Sequence, residues 1–256
     1  MSNQVALSAR DGTAIMSICR PEALNALSRP VVDEMEVLFD QIAADPSVRV
    51  LLIYSEKNFA SGADIKEMIP CDPQGARTFL FTPVYNKLQA LSIPTIAVMD
   101  GYAFGGGLEL ALRCDFRICS SRAKMGFPEI NLGIMPGAGG TVLLPRLIGE
   151  AKAKELIFYG KTVRAEDAER MGLVHAMVEP EKLLDTAVEW ADQLKVKAPV
   201  ALAAAKRAIE YGIGHPDYRE ATEHEAQLWS ELFATQDQKE GMIAFLEKRK
   251  PNFVGC

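Results

Sequence analysis

The sequence predicts an α/β core on a parallel sheet followed by a helical tail, and three observations predict it. Apolar runs of strand length alternate with helical stretches as far as Met171, the order expected of a parallel sheet with crossover helices. Two of these runs, 49–55 and 93–99, are continuously apolar, as strands covered on both faces are. From about Pro180 the strand signals stop, and only helical segments follow.

The remaining elements are read in chain order. β-rich runs at 5–9 and 13–19 flank Arg10-Asp11-Gly12, and Asp-Gly is a strong hairpin signal. Ser28 and Pro30 start a helix to about Ala44 with Val32, Met35, Phe39 and Ile42 on one face. The strand at 49–55 feeds a small-residue loop, 56–64. Residues 65–76 mix proline, glycine and charge and predict a mobile connection, and a helix over 74–91 leads to the central strand. After Asp100-Gly101 come Gly105-Gly106-Gly107 and the apolar segment 108–112. Strand, glycine turn and helix start aim free backbone N–H groups at negative charge. The spacing fits neither GxGxxG nor a P-loop.

Strands are expected at 116–120 and 173–178, a short extended piece at 124–129, and helices at 141–148, 151–159 and 164–171. The glycines Gly137, Gly139 and Gly140 are read as shaping the turn behind Glu129 and starting the next helix. The tail reads as helices over 181–195, 199–211, 217–234 and 237–249, the last opened by a capping box of Asp237 and Glu240. Such a tail must bury its apolar faces on the core or on another subunit. A core of residues 1–191 and a helical region of 192–256 describe the chain.

Composition narrows the function. Hydrophobic residues make up 48% and charged residues 24%, an ordinary soluble composition. A net charge of −6 argues against a general nucleic-acid binder, so an anionic ligand would be held by helix N-termini or a small basic cluster. Five unpatterned cysteines and three histidines, without HExxH or CxxC, suit free thiols in a reducing compartment and argue against a metal site. Cys114, Cys119 and the histidines are read as structural. With no leader pattern and no spanning segment, the expected location is the cytoplasm, with no membrane partner.

Three pieces converge: the loop Ala60-Ser61-Gly62-Ala63-Asp64, the glycines before Glu109, and Glu129 after Phe127-Pro128. Both glycine-bearing loops follow strands, so both can lie at the carboxyl edge of one sheet, where open α/β folds bind ligands. Two N–H groups there would form an oxyanion hole, and two carboxylates on apolar segments suit acid and base roles. Each signal alone also has an ordinary reading. Glu109 could simply complement a helix dipole, and Glu129 could be a helix-start carboxylate.

Together, PEALNAL (21–27), FASGADIKEM (59–68), IPTIAVMDGYAFGGGLELALRCD (93–115), FPEINLGIMPGAGGT (127–141) and AFLEKRKPNF (244–253) resemble the crotonase (enoyl-CoA hydratase/isomerase) family along nearly the whole chain. The resemblance implies a spiral of ββα units with a C-terminal helical trimerisation region, assembled as a homohexamer. It puts the oxyanion N–H groups on Ala63 and Gly106 and the catalytic carboxylates on Glu109 and Glu129. It assigns coenzyme A contacts to Ala23, Ala60, Asp64, Ile65, Lys66 and Lys248. Lys248-Arg249-Lys250 are equally well explained as cations at a helix C-terminus. The implied activity is enoyl-CoA hydration, a reversible syn addition of water across the 2,3 double bond to give 3-hydroxyacyl-CoA. No cofactor is implied beyond the coenzyme A of the substrate. An enoyl-CoA isomerase, a carnitinyl-CoA dehydratase, a dienoyl-CoA hydratase or a non-catalytic RNA-binding homologue are the alternatives. The intact glutamate pair and the acidic charge weigh against the last.

Overall fold

The computed structural model describes residues 4–256. β1 (Val5–Arg10) and β2 (Thr13–Ile18) form the expected antiparallel hairpin, with Val5 opposite Ile18 and Arg10 opposite Thr13. α1 (Arg29–Ala44) is capped by Ser28, whose hydroxyl accepts from the Val31 N–H. It buries Val31, Val32, Met35, Phe39 and Ile42, each contributing roughly 1.5–3 kcal/mol as an upper estimate.

The chain then repeats one motif. β3 (Val50–Tyr54) is followed by Ala60, which bridges to a second layer, and by α2 (Ile65–Met68), α3 (Pro73–Phe79) and α4 (Thr82–Gln89). β4 (Thr95–Met99) is followed by the second-layer strand β5 (Tyr102–Phe104) and by α5 (Gly106–Leu112). β6 (Phe116–Ser120) is followed by β7 (Lys124–Gly126), a 3-10 turn (Pro128–Leu132) and α6 (Gly140–Ile148). After α7 (Glu150–Phe158), β8 (Thr162–Arg164) and α8 (Ala165–Arg170) comes β9 (Ala176–Val178). The main sheet has the order β1-β2-β3-β4-β6-β9, parallel from β2 onward. The second has the order β5-β7-β8. Strand, strand, helix, repeated, is the expected spiral.

The continuous apolar runs follow from this layering. Leu51, Ile53, Ala97 and Met99 join the core with α1, α4 and α5. Val50, Leu52, Ile96, Val98 and Ile118 pack instead with Leu183, Ala187 and Ala191 of α9 (Leu183–Lys195). With both faces of the sheet covered, these strands show no alternating polar face.

Several expectations need correction. The helix over 74–91 is two helices, broken at Leu80, which is extended (φ −57°, ψ 135°). Pro83 has no N–H to continue a helix and sits instead in the first turn of α4. The stretch 65–76 is largely helical, with Asp64 and Asp72 as N-caps. The final strand omits Leu173, whose carbonyl accepts from Arg117 Nε at 3.0 Å. A division at 191/192 falls inside α9, which belongs to the core it packs on.

In the tail, α10 (Pro199–Gly214) is tied to the core by Lys206 Nζ to Asp115 Oδ2 at 3.0 Å. α11 (Tyr218–Glu231) and α12 (Gln236–Glu247) follow. The cap of α12 is Thr235, which accepts from the Gln238 N–H. Asp237 does not cap. It is buried and accepts from the N–H groups of Val254 (2.7 Å) and Gly255 (3.0 Å), fastening the C-terminus. Phe245 is 83% exposed and Leu246 79%, so this end of the tail does not bury its apolar face on its own core. Among the described residues no helix is long and apolar enough to cross a membrane.

α5 can start where it does only because its first turn touches the second layer. A Cβ on Gly107 would lie 2.4 Å from the Ala60 carbonyl oxygen. Gly107→Ala is expected to push α5 off Ala60 and destabilise the protein by about 1–3 kcal/mol, the usual range for overpacking. Denaturant titration checks this, and an unchanged midpoint would show that the contact yields freely.

Candidate active site

One cavity of about 380 Å³ opens between the β3–α2 loop, α3, the start of α5 and the turns at 128–140. Its lining includes Ala63, Gly106, Glu109 and Glu129, so the four residues that the resemblance picks out are drawn from three turns of the spiral into one space. Ile65 lines it too. The rest of the wall is largely apolar, with Met68, Phe79, Phe81, Leu132, Ile134 and Met135 among its side chains.

The backbone at both glycine loops is shaped for donors. Leu27 N–H bonds to Gly62 C=O at 2.8 Å and Asp64 N–H to Leu27 C=O at 2.9 Å. These contacts pin the peptides either side of Ala63. Neither the Ala63 N–H nor the Gly106 N–H has an acceptor among the described residues. Gly106 opens α5, so its N–H is one of the unpaired donors at the positive end of a helix. Gly105, at φ 48° and ψ −123°, makes the turn into that helix. A side chain there would be strained, and its Cβ would lie 2.7 Å from Glu129 Oε1. From below, buried Tyr85 donates its hydroxyl to the Gly106 carbonyl at 2.8 Å. Burial drives that phenol's pKa well up, so it stays a neutral donor.

The two carboxylates sit in unlike surroundings. Glu109, 2% exposed, accepts from the N–H groups of Ala138 and Gly140 through Oε1, each at 2.7 Å. Burial raises its pKa; the bonds from Gly140 and Ala138 and the charge of Arg113 oppose the rise. Glu129, 9% exposed, is supported by its own backbone N–H, and its buried Oε2 lacks a partner among the described residues. Burial, with a smaller push from the Glu109 charge, lifts its pKa to about 7. Burial pushes both carboxyls towards keeping a proton, but only at Glu109 do donors from another turn and a nearby guanidinium oppose it, which separates the two sites.

The other expected contacts lie outside the lining. The Ala60 amide donates to Tyr102 C=O (2.9 Å) and its carbonyl accepts from Phe104 N–H (3.0 Å), because Ala60 bridges the second layer. Asp64 caps α2 and pairs with Arg20 at 3.1 Å, a structural role in this chain. Ala23 sits in a 3-10 turn, with its carbonyl accepting from Ser61 Oγ at 3.3 Å. Lys66 is exposed on α2, and Lys248 is exposed at the left-handed C-cap of α12.

Gly139 and Gly140 start the next helix as expected, but the turn serves Glu109 as well, which is held by the N–H groups of Ala138 and Gly140. The sequence reading does not reach the part of the apolar wall formed by Leu132, Ile134 and Met135. Its signal is the run Ile130 to Met135, in which Ile130, Leu132, Ile134 and Met135 stay exposed.

The sequence matches the family model described as enoyl-CoA hydratase/isomerase over residues 8–255. The chain belongs to the enoyl-CoA hydratase/isomerase family. It is 42% identical to a short-chain-enoyl-CoA hydratase of Clostridium acetobutylicum, over 97% of this chain and 96% of the relative. It is also 42% identical to a crotonyl-CoA hydratase of Syntrophomonas wolfei, over 98% and 97% of the two chains. A crystal structure of enoyl-CoA hydratase from Bacillus anthracis superposes with a TM-score of 0.95 at 36% identity, covering 99% of this chain and all of that one.

The raised pKa of Glu129 has a consequence for stability. Its folded value of about 7 lies above the ordinary 4.5, so ionising it opposes folding. Stability is greatest below the ordinary value and is lost as pH rises through about 7. Glu129→Gln removes that charge, and its melting temperature is expected to exceed the parent's by a few degrees at pH 8, with the gap closing by pH 5. Equal melting curves at pH 8 would show that Glu129 is not desolvated.

Proposed function

We propose that the chain is an enoyl-CoA hydratase adding water across the 2,3 double bond of a 2-enoyl-CoA thioester. The observation that carries this reading is the meeting of two buried carboxylates, one held by two backbone donors and one with an unpartnered Oε2, with two free N–H donors in one apolar cavity. The likeness to hydratases along the whole chain agrees with it.

The thioester oxygen accepts from the Ala63 and Gly106 N–H groups. Ionised Glu109 takes a proton from water as its oxygen bonds to C3, and protonated Glu129 delivers a proton to C2. Negative charge gathers on the thioester oxygen in between, where one such donor contributes roughly 2.7–4 kcal/mol to the transition state. Both carboxylates line one cavity, which supports delivery to one face of the double bond, a syn addition. Lys66 and, from the tail of a neighbouring subunit, Lys248 are the cations offered to the coenzyme A phosphates. The exposed apolar residues of α12, among them Phe245 and Leu246, support assembly into a homohexamer of two trimers.

Turnover of crotonyl-CoA and longer 2-enoyl esters tests the mechanism. Glu109→Gln and Glu129→Gln are each expected to lower kcat by roughly 10²–10⁴-fold, and the double variant to lose little more, because the pair acts on one water. The active form holds a single proton between the two groups in either direction. Hydration and dehydration should therefore share one bell-shaped kcat/KM profile, with its alkaline limb near the value of about 7 at Glu129. Near-full hydration by Glu129→Gln would overturn the reading.

Assembly has its own check. Sedimentation at micromolar protein is expected to show a hexamer, and Phe245→Glu with Leu246→Glu should dissociate it. A monomeric parent protein would refute the assembly while leaving the chemistry untouched.

A further inference from the structure

α5 carries a second polar residue that the reaction does not use. Arg113 caps the helix one turn beyond Glu109 and is half-buried. Its Nη1 donates to Asn86 Oδ1 at 2.9 Å and to Gln89 Oε1, both on α4. Its Nη2 donates to the Ala138 carbonyl at 3.1 Å. The guanidinium also lies flat against the next residue, since a Cβ on Gly139 would come 2.7 Å from Nη2.

Ala138 is therefore held at both ends. Its N–H donates to Glu109 at 2.7 Å, while its C=O accepts from Arg113. The donor that fixes the carboxylate belongs to a glycine-rich turn, 137–140, with no other side chain bonded to its Ala138 carbonyl among the described residues. A turn of that composition has many alternative conformations to adopt once released.

We propose that Arg113 is a positioning residue for Glu109: it clamps the 137–140 turn through Ala138 so that the Ala138 and Gly140 N–H groups stay aimed at the carboxylate. The clamp ties three elements, α4, α5 and the start of α6, into one frame around that group. It rests on the reading of Glu109 as the base that takes a proton from water.

The charged and titratable groups around this frame are few. Glu109 faces Tyr85 from α4 and Arg113 from its own helix, and its charge is felt by Glu129 from the 3-10 turn. The 137–140 turn presents only backbone. Arg113 is faced by Glu109, Tyr85 and Glu210 of α10. Loss of the guanidinium removes a positive charge and loosens two hydrogen bonds, and both effects make Glu109 harder to ionise.

Arg113→Met tests the proposal by steady-state hydration of crotonyl-CoA across pH. The expected result is a kcat lowered roughly 10- to 100-fold, the range for a misplaced reacting group, with KM little changed. The acid limb of kcat/KM should move to higher pH. Arg113→Lys keeps the charge without the planar fork and should fall between parent and Met variant in both readouts. A structural role alone would lower the melting temperature without moving the limb, and that outcome overturns the proposal, as does a kcat within twofold of the parent. If Arg113→Met does not fold, Asn86→Ala with Gln89→Ala frees the guanidinium from α4. That variant should move the limb the same way by a smaller amount, and an unmoved limb again overturns the clamp. Glu109→Gln is assayed alongside. Activity retained in it removes the base assignment, whereas an inactive Glu109→Gln beside a parent-like Arg113→Met removes only the clamp.

Discussion

Glu109 keeps its place in a nearly waterless position because the Ala138 and Gly140 N–H groups each donate to its Oε1 at 2.7 Å. A buried carboxylate without donors would take up a proton or drag in water. The donors come from the N-terminal end of α6, one turn of the spiral beyond the helix that bears the carboxylate. This one contact explains why the glycine-rich stretch 137–140 lies against α5. A Cβ at Gly140 would come 2.8 Å from both the Phe127 ring and Pro136, and 3.1 Å from Glu109 Oε1. Only bare backbone fits between the carboxylate and its aromatic wall.

The contrast with Glu129 follows from the same geometry. Glu129 rides on a short 3-10 turn and packs against Gly105 at the start of α5, yet its buried Oε2 has no donor among the described residues. Burial therefore raises the pKa of both, while the backbone around Glu109 opposes the rise through donors from another turn that Glu129 lacks. The oxyanion donors are arranged by similar means. Gly107 allows α5 to approach Ala60, and Tyr85 holds the Gly106 carbonyl. Site and fold are thus built from the same close approaches, in which the second-layer sheet stands directly behind the first turn of α5.

The elements legible in the sequence were those whose signal is local. The hairpin at Asp11-Gly12, the Ser28 cap of α1 and the apolar strands β3 and β4 stand where their residues place them. The misread ones depended on distant partners. Leu173 left the last strand because Arg117 takes its carbonyl, and Asp237 gave up capping because it is needed by the backbone at 254 and 255. Pro83 is the exception. Its break in the helix was local and readable, but the residues around it have helical composition, and the pattern was read in preference to the proline.

At the site, residue types alone mark the candidates: two glutamates on apolar segments and two loops of small residues after strands. Residue type and spacing suffice for that, because close backbone approach needs glycine or alanine and acid–base work needs carboxyls. What surrounds each of them emerges from the folded arrangement. It made the 137–140 turn the partner of Glu109, set Ala60 and Asp64 to holding the fold, and raised the apolar wall from Phe79, Phe81, Leu132 and Met135. Those outcomes depend on which N–H faces which oxygen and on how much water is excluded. Both are set by residues far apart in the chain that meet only when the turns of the spiral stack.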